Sequence, residues 1–280
     1  MLNDADRDFL ANQKLEEGNR LAYQGKFGEA VKFYSKAIEL NPNNAFAYSQ
    51  RGNIYTLTLL HRSVSFFVAG INLSNAELQR AAINDLNKAI ELKPDYGEAY
   101  NNRGLAYYMI KDYDKALADF EHALKLNSGN SQSCIYLALY YSTVVKDVDK
   151  APDFYNKAVE LAPTSAHAYS CRASFYTGYR IGDYAKAAED YTKAIQFENR
   201  GEDTLILDYQ SRAECYNHLK LYDKAIDDYT KAIQMAEHSA RMNVMLSFYY
   251  RERGNCYEAV GKNSLARKDF KKSEKLSNNG

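Results

Sequence analysis

The residues in this 280-residue chain that could do chemistry are few and scattered. Five histidines, His61, His122, His167, His218 and His238, show no H-x-x-x-H or similar spacing that would aim two imidazoles at one metal. Four cysteines, Cys134, Cys171, Cys215 and Cys256, stand singly, each inside a helical pattern. They form neither a disulfide framework nor a zinc ligand set. No glycine-rich phosphate loop and no G-x-S-x-G nucleophile elbow is present. Adjacent carboxylates such as Asp227-Asp228 recur at a regular period and belong on helix surfaces. The expectation is a chain that is no enzyme, with no catalytic residue, cofactor or metal.

Charge removes further classes. Lys plus Arg number 36 and Asp plus Glu number 36, so no broad basic field exists to draw nucleic acid or anionic lipid. The N-terminal "MLNDADRDFLANQKLEEGNR" is polar and acidic, with no apolar core of a secretory signal. The longest apolar stretch, Cys134 to Val145, holds about 12 residues, short of the roughly 18–20 that span a bilayer. Neither nucleic acid nor membrane is therefore an expected partner. A reducing, cytoplasmic home is expected, although an exported form stripped of its signal would read the same.

The elements that position all these side chains come from a repeat. "AVKFYSKAIELNP" at 30–42 returns as "AINDLNKAIELKP" at 82–94 and "ALADFEHALKLNS" at 116–128. It returns again as "APDFYNKAVELAP" at 151–163, "AAEDYTKAIQFEN" at 187–199 and "AIDDYTKAIQMAE" at 225–237, with a weaker "ARKDFKKSEKLSN" at 266–278. A second motif, such as "YNNRGLAYY" at 100–108, precedes each copy. Both motifs carry apolar residues at i, i+3, i+4 and i+7, which predicts two antiparallel helices joined by short turns such as Gly25-Lys26 and Lys111-Asp112.

This pattern resembles the tetratricopeptide repeat family, whose unit has 34 residues. The small residue of the first helix matches Gly18, Gly52, Gly104, Ala138, Ala173, Ala213 and Gly254. The aromatic or Leu three residues on matches Leu21, Tyr55, Tyr107, Tyr141, Tyr176, Tyr216 and Tyr257. The second helix supplies Ala30, Ala82, Ala116, Ala151, Ala187, Ala225 and Ala266, while the terminal Pro survives only as Pro42, Pro94 and Pro163. The resemblance covers roughly 11–278 as seven repeats. It implies an all-α, right-handed superhelical solenoid of antiparallel helix pairs over residues 1–280, with these residues structural.

Comparing the repeats with one another adds a prediction of its own. Arg51, Arg103, Arg172, Arg212 and Arg253 stand directly before the small residue, and the same repeats carry Asp85, Asp119, Asp190, Asp228 and Asp269 in the second helix. The two repeats without the Arg have Glu17 and Leu137, and there the Asp is replaced by Phe33 and Phe154. Residues that vary together in this way predict five half-buried Arg–Asp ion pairs, each joining the two helices of one repeat.

The resemblance also implies a concave groove lined by first helices. The positions facing it include Asn19, Phe46, Gln50, Asn53, Asn101, Asn102, Leu105, Tyr136, His167, Ser174, Gln210, Glu214, Asn217, Glu252 and Asn255. Of these, Asn19, Gln50, Asn53, Asn101, Asn102, Tyr136, His167, Gln210, Asn217 and Asn255 are the candidate partner-binding residues. Relatives that clamp chaperone tails use Lys and Arg at set positions. Here Leu15, Glu98 and Asn102 stand at such positions, and Arg251 is the only Arg or Lys on the groove set, which disfavours that partner. Amides both donate and accept, so they suit the backbone of an extended protein segment, neutral or basic rather than acidic. A groove that merely keeps the chain soluble is the alternative.

One passage breaks the repeat. In the second copy, Tyr55 and Ala82 are separated by 18 more residues than the equivalent Tyr107 and Ala116, which places an apolar insertion within 57–81. Leu57, Leu59 and Leu60 can prolong the first helix, and "SNAE" at 74–77 reads as a capping box opening the second one early. The loop 62–73 between them holds Phe66, Phe67, Val68, Ile71 and Leu73, each worth roughly 1.5–3 kcal/mol of burial. Those residues must pack on the chain's own helices, on a partner, or on a second copy. The function expected is a non-catalytic interaction scaffold. The alternatives are a structural homo-oligomer assembled through 62–73 or the C-terminal end, and a regulatory subunit of a separately encoded enzyme.

Overall fold

Segments with helical apolar spacing are helices, and the buried residues follow that spacing. In 113–126, for example, Ala116, Asp119, Phe120 and Ala123 form one buried face while Lys115, Glu121 and Lys125 lie nearer to solvent. The computed structural model describes residues 3–60, 71, 73–127, 130–178, 181–198, 201–239 and 242–278. They form two compact units that divide between Val144 and Val145.

The first unit contains α1 (Asp4–Tyr23), α2 (Phe27–Leu40), α3 (Ala45–Leu60), α4 (Asn75–Leu92), α5 (Gly97–Met109), α6 (Tyr113–Leu126) and α7 (Ser131–Tyr140). The second contains α8 (Ala151–Leu161), α9 (Ala166–Thr177), α10 (Tyr184–Gln196), α11 (Glu202–His218), α12 (Tyr222–Ala236), α13 (Leu246–Ala259) and α14 (Asn263–Asn278). Within the units, α1 packs on α2, α3 on α4, α5 on α6, α9 on α10, α11 on α12 and α13 on α14. Among the described residues there is no strand. The architecture is all-α, built from repeated antiparallel helix pairs.

Close approach of the paired helices depends on the small residue. A Cβ on Gly104 would sit 2.6 Å from a ring carbon of Phe120, and one on Gly18 would sit 2.5 Å from Tyr34. The turn between paired helices uses a left-handed residue: Gly25 (φ 73°), Lys111 (φ 65°), Lys220 (φ 59°) and Gly261 (φ 76°). The amide that follows each returns to a carbonyl five residues earlier, as in Lys26 to Leu21 and Asp112 to Tyr107, closing the helix end. One surplus residue near 141 is absorbed by a π-helical turn, Tyr141–Val145.

All five Arg–Asp pairs are present and bidentate, and Asp228, expected with Asp227 on a helix surface, is instead buried because Arg212 draws it between the helices. Arg51, Arg103, Arg172, Arg212 and Arg253 donate from Nε and Nη2 to Asp85, Asp119, Asp190, Asp228 and Asp269 at 2.7–2.9 Å. The structure adds what the pairwise comparison missed. Nη1 of each Arg reaches back to the second helix of the preceding repeat, to Ser35, Asn87, Asn156, Thr192 and Thr230 respectively, at 2.8–3.0 Å. Each guanidinium also lies over the Tyr one turn earlier, Tyr48, Tyr100, Tyr169, Tyr209 or Tyr250, at 5.3–5.8 Å. The clamp therefore ties three helices, not two. The hydrogen bonds to Asp119 and Asp190 raise the pKa of Arg103 and Arg172 above the ordinary guanidinium value, so both stay charged.

At the insertion, α3 runs on to Leu60 and α4 opens at Asn75 behind a capping box. Ser74 Oγ accepts from the Glu77 amide, and Glu77 Oε2 accepts from the Ser74 amide. Ile71 is buried and Leu73 half-buried, in a core with Leu21, Tyr34, Ile54 and Leu78. This end of the insertion thus packs on the chain's own helices. Phe66, Phe67 and Val68 lie outside the described residues.

Candidate functional site

The clamp, the small residue and the aromatic use three faces of each first helix for packing. The remaining face carries the candidate binding residues. In the first unit these come from α1, α3, α5 and α7, and in the second from α9, α11 and α13.

The first unit presents a fixed carboxylate. Gln50 on α3 donates to Glu98 Oε1 at 2.9 Å, and the Tyr96 hydroxyl donates to Oε2 at 3.2 Å. Tyr96 is buried against Phe46, ring to ring at 4.9 Å, and Lys93 covers both rings at 4.6 and 5.3 Å. Burial, then the charge of Glu98, pushes the Tyr96 phenol well above its ordinary pKa, so it remains a donor. Asn53 is half-buried and its amide makes no hydrogen bond among the described residues. Asn19 is exposed and accepts from the Tyr34 hydroxyl at 3.0 Å.

Asn101 and Asn102 correct the sequence expectation. Rather than lying open on a groove they are buried, 2% and 6% exposed. The reason is that α5 packs on α3 and α7 as well as on α4 and α6, so neighbouring helices cover its fifth and sixth positions. Asn101 Oδ1 and Asn102 Nδ2 find no hydrogen-bond partner there. Leu105 is buried beside them, and Tyr136 is half-buried with its ring 5.1 Å from that of Phe120.

The second unit repeats the fixed carboxylate with different parts. Gln210 donates to Glu214 Oε1, one turn along α11, at 2.9 Å. Between α9, α10 and α11 lies a cavity of about 320 Å³ whose lining includes Ser174, Tyr184, Tyr191, Ser211, Glu214 and His218. His218 stacks flat on Tyr184, with centroids 4.0 Å apart and planes at 4°. Asn217 is half-buried with no hydrogen bond among the described residues, whereas Asn255 is exposed and donates to Glu252 at 3.3 Å. His167 is exposed beside the half-buried Cys171, Sγ to Nδ1 3.7 Å.

Sequence reasoning named Glu214 and Ser174 among groove positions, but missed Tyr184, Tyr191 and His218 as cavity walls. Nothing in the repeat marks them. Tyr184 and Tyr191 belong to a second helix, and His218 lies past the groove positions, at the end of α11. Among the described residues no three His, Cys, Asp or Glu gather in a way that could hold a metal ion. Nor is any described helix long and apolar enough to cross a membrane.

Comparison with known proteins bears on the repeat. A family model described as "TPR repeat" matches residues 18–57 and 79–111, and two described as "Tetratricopeptide repeat" match 97–130 and 209–239. Hsp70-Hsp90 organizing protein 3 of Arabidopsis thaliana is 32% identical over 123 residues, 44% of this chain and 19% of that protein. RNA polymerase II-associated protein 3 of Homo sapiens is 26% identical over 190 residues, 64% of this chain and 26% of that protein. The chain thus matches only about a fifth to a quarter of these relatives' length. Among solved structures, a thermophilic TPR protein of Thermus thermophilus superposes with a TM-score of 0.58 at 19% identity, covering 75% of this chain and 98% of that one. Helix pairs closed by a small residue, the recurring alanines and these matches together identify tetratricopeptide repeats over residues 18–57, 79–130 and 209–239.

Proposed function

We propose that the chain is a non-catalytic protein-interaction adaptor whose first helices hold an extended protein segment. The observation that carries this is the pair Asn53 and Asn217, one in each unit. Both amides are half-buried, and neither is hydrogen-bonded among the described residues. Such an amide keeps both its donor and its acceptor open to a partner. The backbone of an extended segment supplies the N–H and the C=O that such an amide matches. Relatives whose names refer to organizing chaperones or associating with a polymerase favour a protein partner. The fixed carboxylates Glu98 and Glu214 favour a neutral or basic segment over an acidic one.

The test is selection of decapeptides from a displayed random library on the immobilised full chain. The selected peptides are then measured against Asn53→Ala and Asn217→Ala. A selected peptide should be weakened about 2- to 10-fold by the variant of the unit it contacts, the weight of one ordinary hydrogen bond. Equal binding by both variants, or no selected peptide at all, sinks the reading.

A further inference from the structure

The cavity between α9, α10 and α11 has a composition that the groove reading alone does not explain. At about 320 Å³ it is at the small end of ordinary ligand sites, roughly 300–1,000 Å³, and suits one side chain rather than a large molecule. One wall is a carboxylate. Among the described residues Glu214 receives a single hydrogen bond, from Gln210 to Oε1, and Oε2 receives none. Among the described residues no Lys or Arg pairs with it, although every Arg of the five clamps is matched to its Asp. Gln210 keeps its own Oε1 buried and unpartnered, so the unmet capacity beside the carboxylate is for a donor.

The charge of Glu214 reaches the surrounding buried groups unopposed. Burial first, then that charge, pushes the Cys215 thiol up to about 12 and moves the Tyr229 and Tyr249 phenols upward. A second wall is flat and aromatic, the Tyr184–His218 stack. Ser174 and Ser211 add hydroxyls that accept as well as donate.

Carboxylate, aromatic plane and acceptor hydroxyls are the surroundings that a guanidinium needs. It carries five N–H donors and no acceptor, pairs with carboxylates and stacks on rings. The chain's own clamps show the combination five times, with each Arg held by a carboxylate and lying over a Tyr. We infer that this cavity is a specificity pocket for an arginine side chain of the bound segment, with Glu214 as its counter-ion and the Tyr184–His218 stack as its platform. The inference deepens the adaptor reading and rests on it for the rest of the segment.

Two probes separate the pocket from the groove. The first is N-acetyl-arginine methylamide titrated into the full chain while the His218 ring protons are followed by NMR, beside the uncharged N-acetyl-citrulline methylamide. The arginine probe should shift those protons saturably and the citrulline probe should not. Glu214→Gln, checked for an unchanged circular dichroism spectrum, should abolish the difference. Equal response to the two probes in the natural chain overturns the pocket without reference to any variant.

The second probe is a fluorescein-labelled Ala/Ser decapeptide with a central Arg or citrulline, read by anisotropy. Arg should bind about tenfold tighter or more, the weight of one charge-assisted hydrogen bond. Glu214→Gln should bring the two peptides together. Decapeptides that bind with no preference for Arg sink the pocket and leave the groove reading standing. An arginine probe that binds while no decapeptide does supports the pocket and removes the groove reading. If neither probe binds, both fall.

Discussion

The helix pairs α1–α2 and α5–α6 follow one plan with two chemistries. In both, a glycine lets an aromatic ring of the second helix lie against the first: Gly18 under Tyr34, Gly104 under Phe120. Beside that contact they differ. Arg103 ties Asp119 and reaches back to Asn87, under Tyr100. At the matching positions of α1–α2, Glu17 turns outward to Arg20 on its own helix, and Phe33 lies half-buried with Lys14 and Lys36 over its ring at 5.7 and 5.3 Å. The turns differ too, with Gly25 in one and Lys111 in the other holding the same left-handed backbone. The ring-on-glycine contact is common to these two pairs. The clamp is an exchangeable module, replaced as a set by apolar and surface residues.

The largest effect should come from breaking that module in half. Arg103→Leu leaves the buried Asp119 carboxylate without its counter-ion and should cost about 3–5 kcal/mol in urea unfolding of the full chain. Adding Asp119→Phe, the residue type found at 33, should recover more than half of the loss. A double variant no more stable than the single one would show that the two chemistries are not exchangeable.

A smaller loss should be common to both pairs. Gly104→Ala and Gly18→Ala each press a methyl into the facing ring and should each cost about 1–3 kcal/mol, as overpacked cores do. Thermal unfolding that leaves either variant at its starting stability would show that the ring contact does not require glycine.

The turns should give the smallest change, and with opposite signs. Lys111→Gly relieves a left-handed Lys, which costs roughly 1–2 kcal/mol, and offsets part of that gain with glycine's entropy, so stability should rise by up to about 1 kcal/mol. Gly25→Ala introduces the same strain and should lower stability by a similar amount. Matching signs in the two unfolding curves would mean that the turns are not equivalent.

The helix pairs, their turns and the five ion pairs were legible in the residues because a repeated chain supplies its own comparison. When Glu17 or Leu137 replaces the Arg and Phe33 or Phe154 replaces the Asp, two positions sixteen or more residues apart declare that they meet. The further bond from Arg103 to Asn87 was written in the same comparison, since Glu121 stands in Asn87's place ahead of Leu137. It was harder to see because it crosses from one repeat to the next. The capping box at Ser74 and Glu77 was legible for a simpler reason, being local.

The candidate site was only half legible. Position in the repeat names the side of a helix that is free of its own partner, and Gln50, Asn53 and Asn217 follow from that. It does not say how closely the next first helix approaches. That distance buries Asn101 and Asn102 where α5 meets α3 and α7, and it leaves a cavity beside Glu214 where α9 and α11 stand on either side of α10. Helical periodicity and residue covariation are properties of one chain segment or of pairs that recur, so the sequence by itself determined the elements and their clamps. Burial of one residue depends on the summed packing of several helices far apart in the chain. Which amides stay open, and where a carboxylate faces an empty space, only the tertiary structure decided.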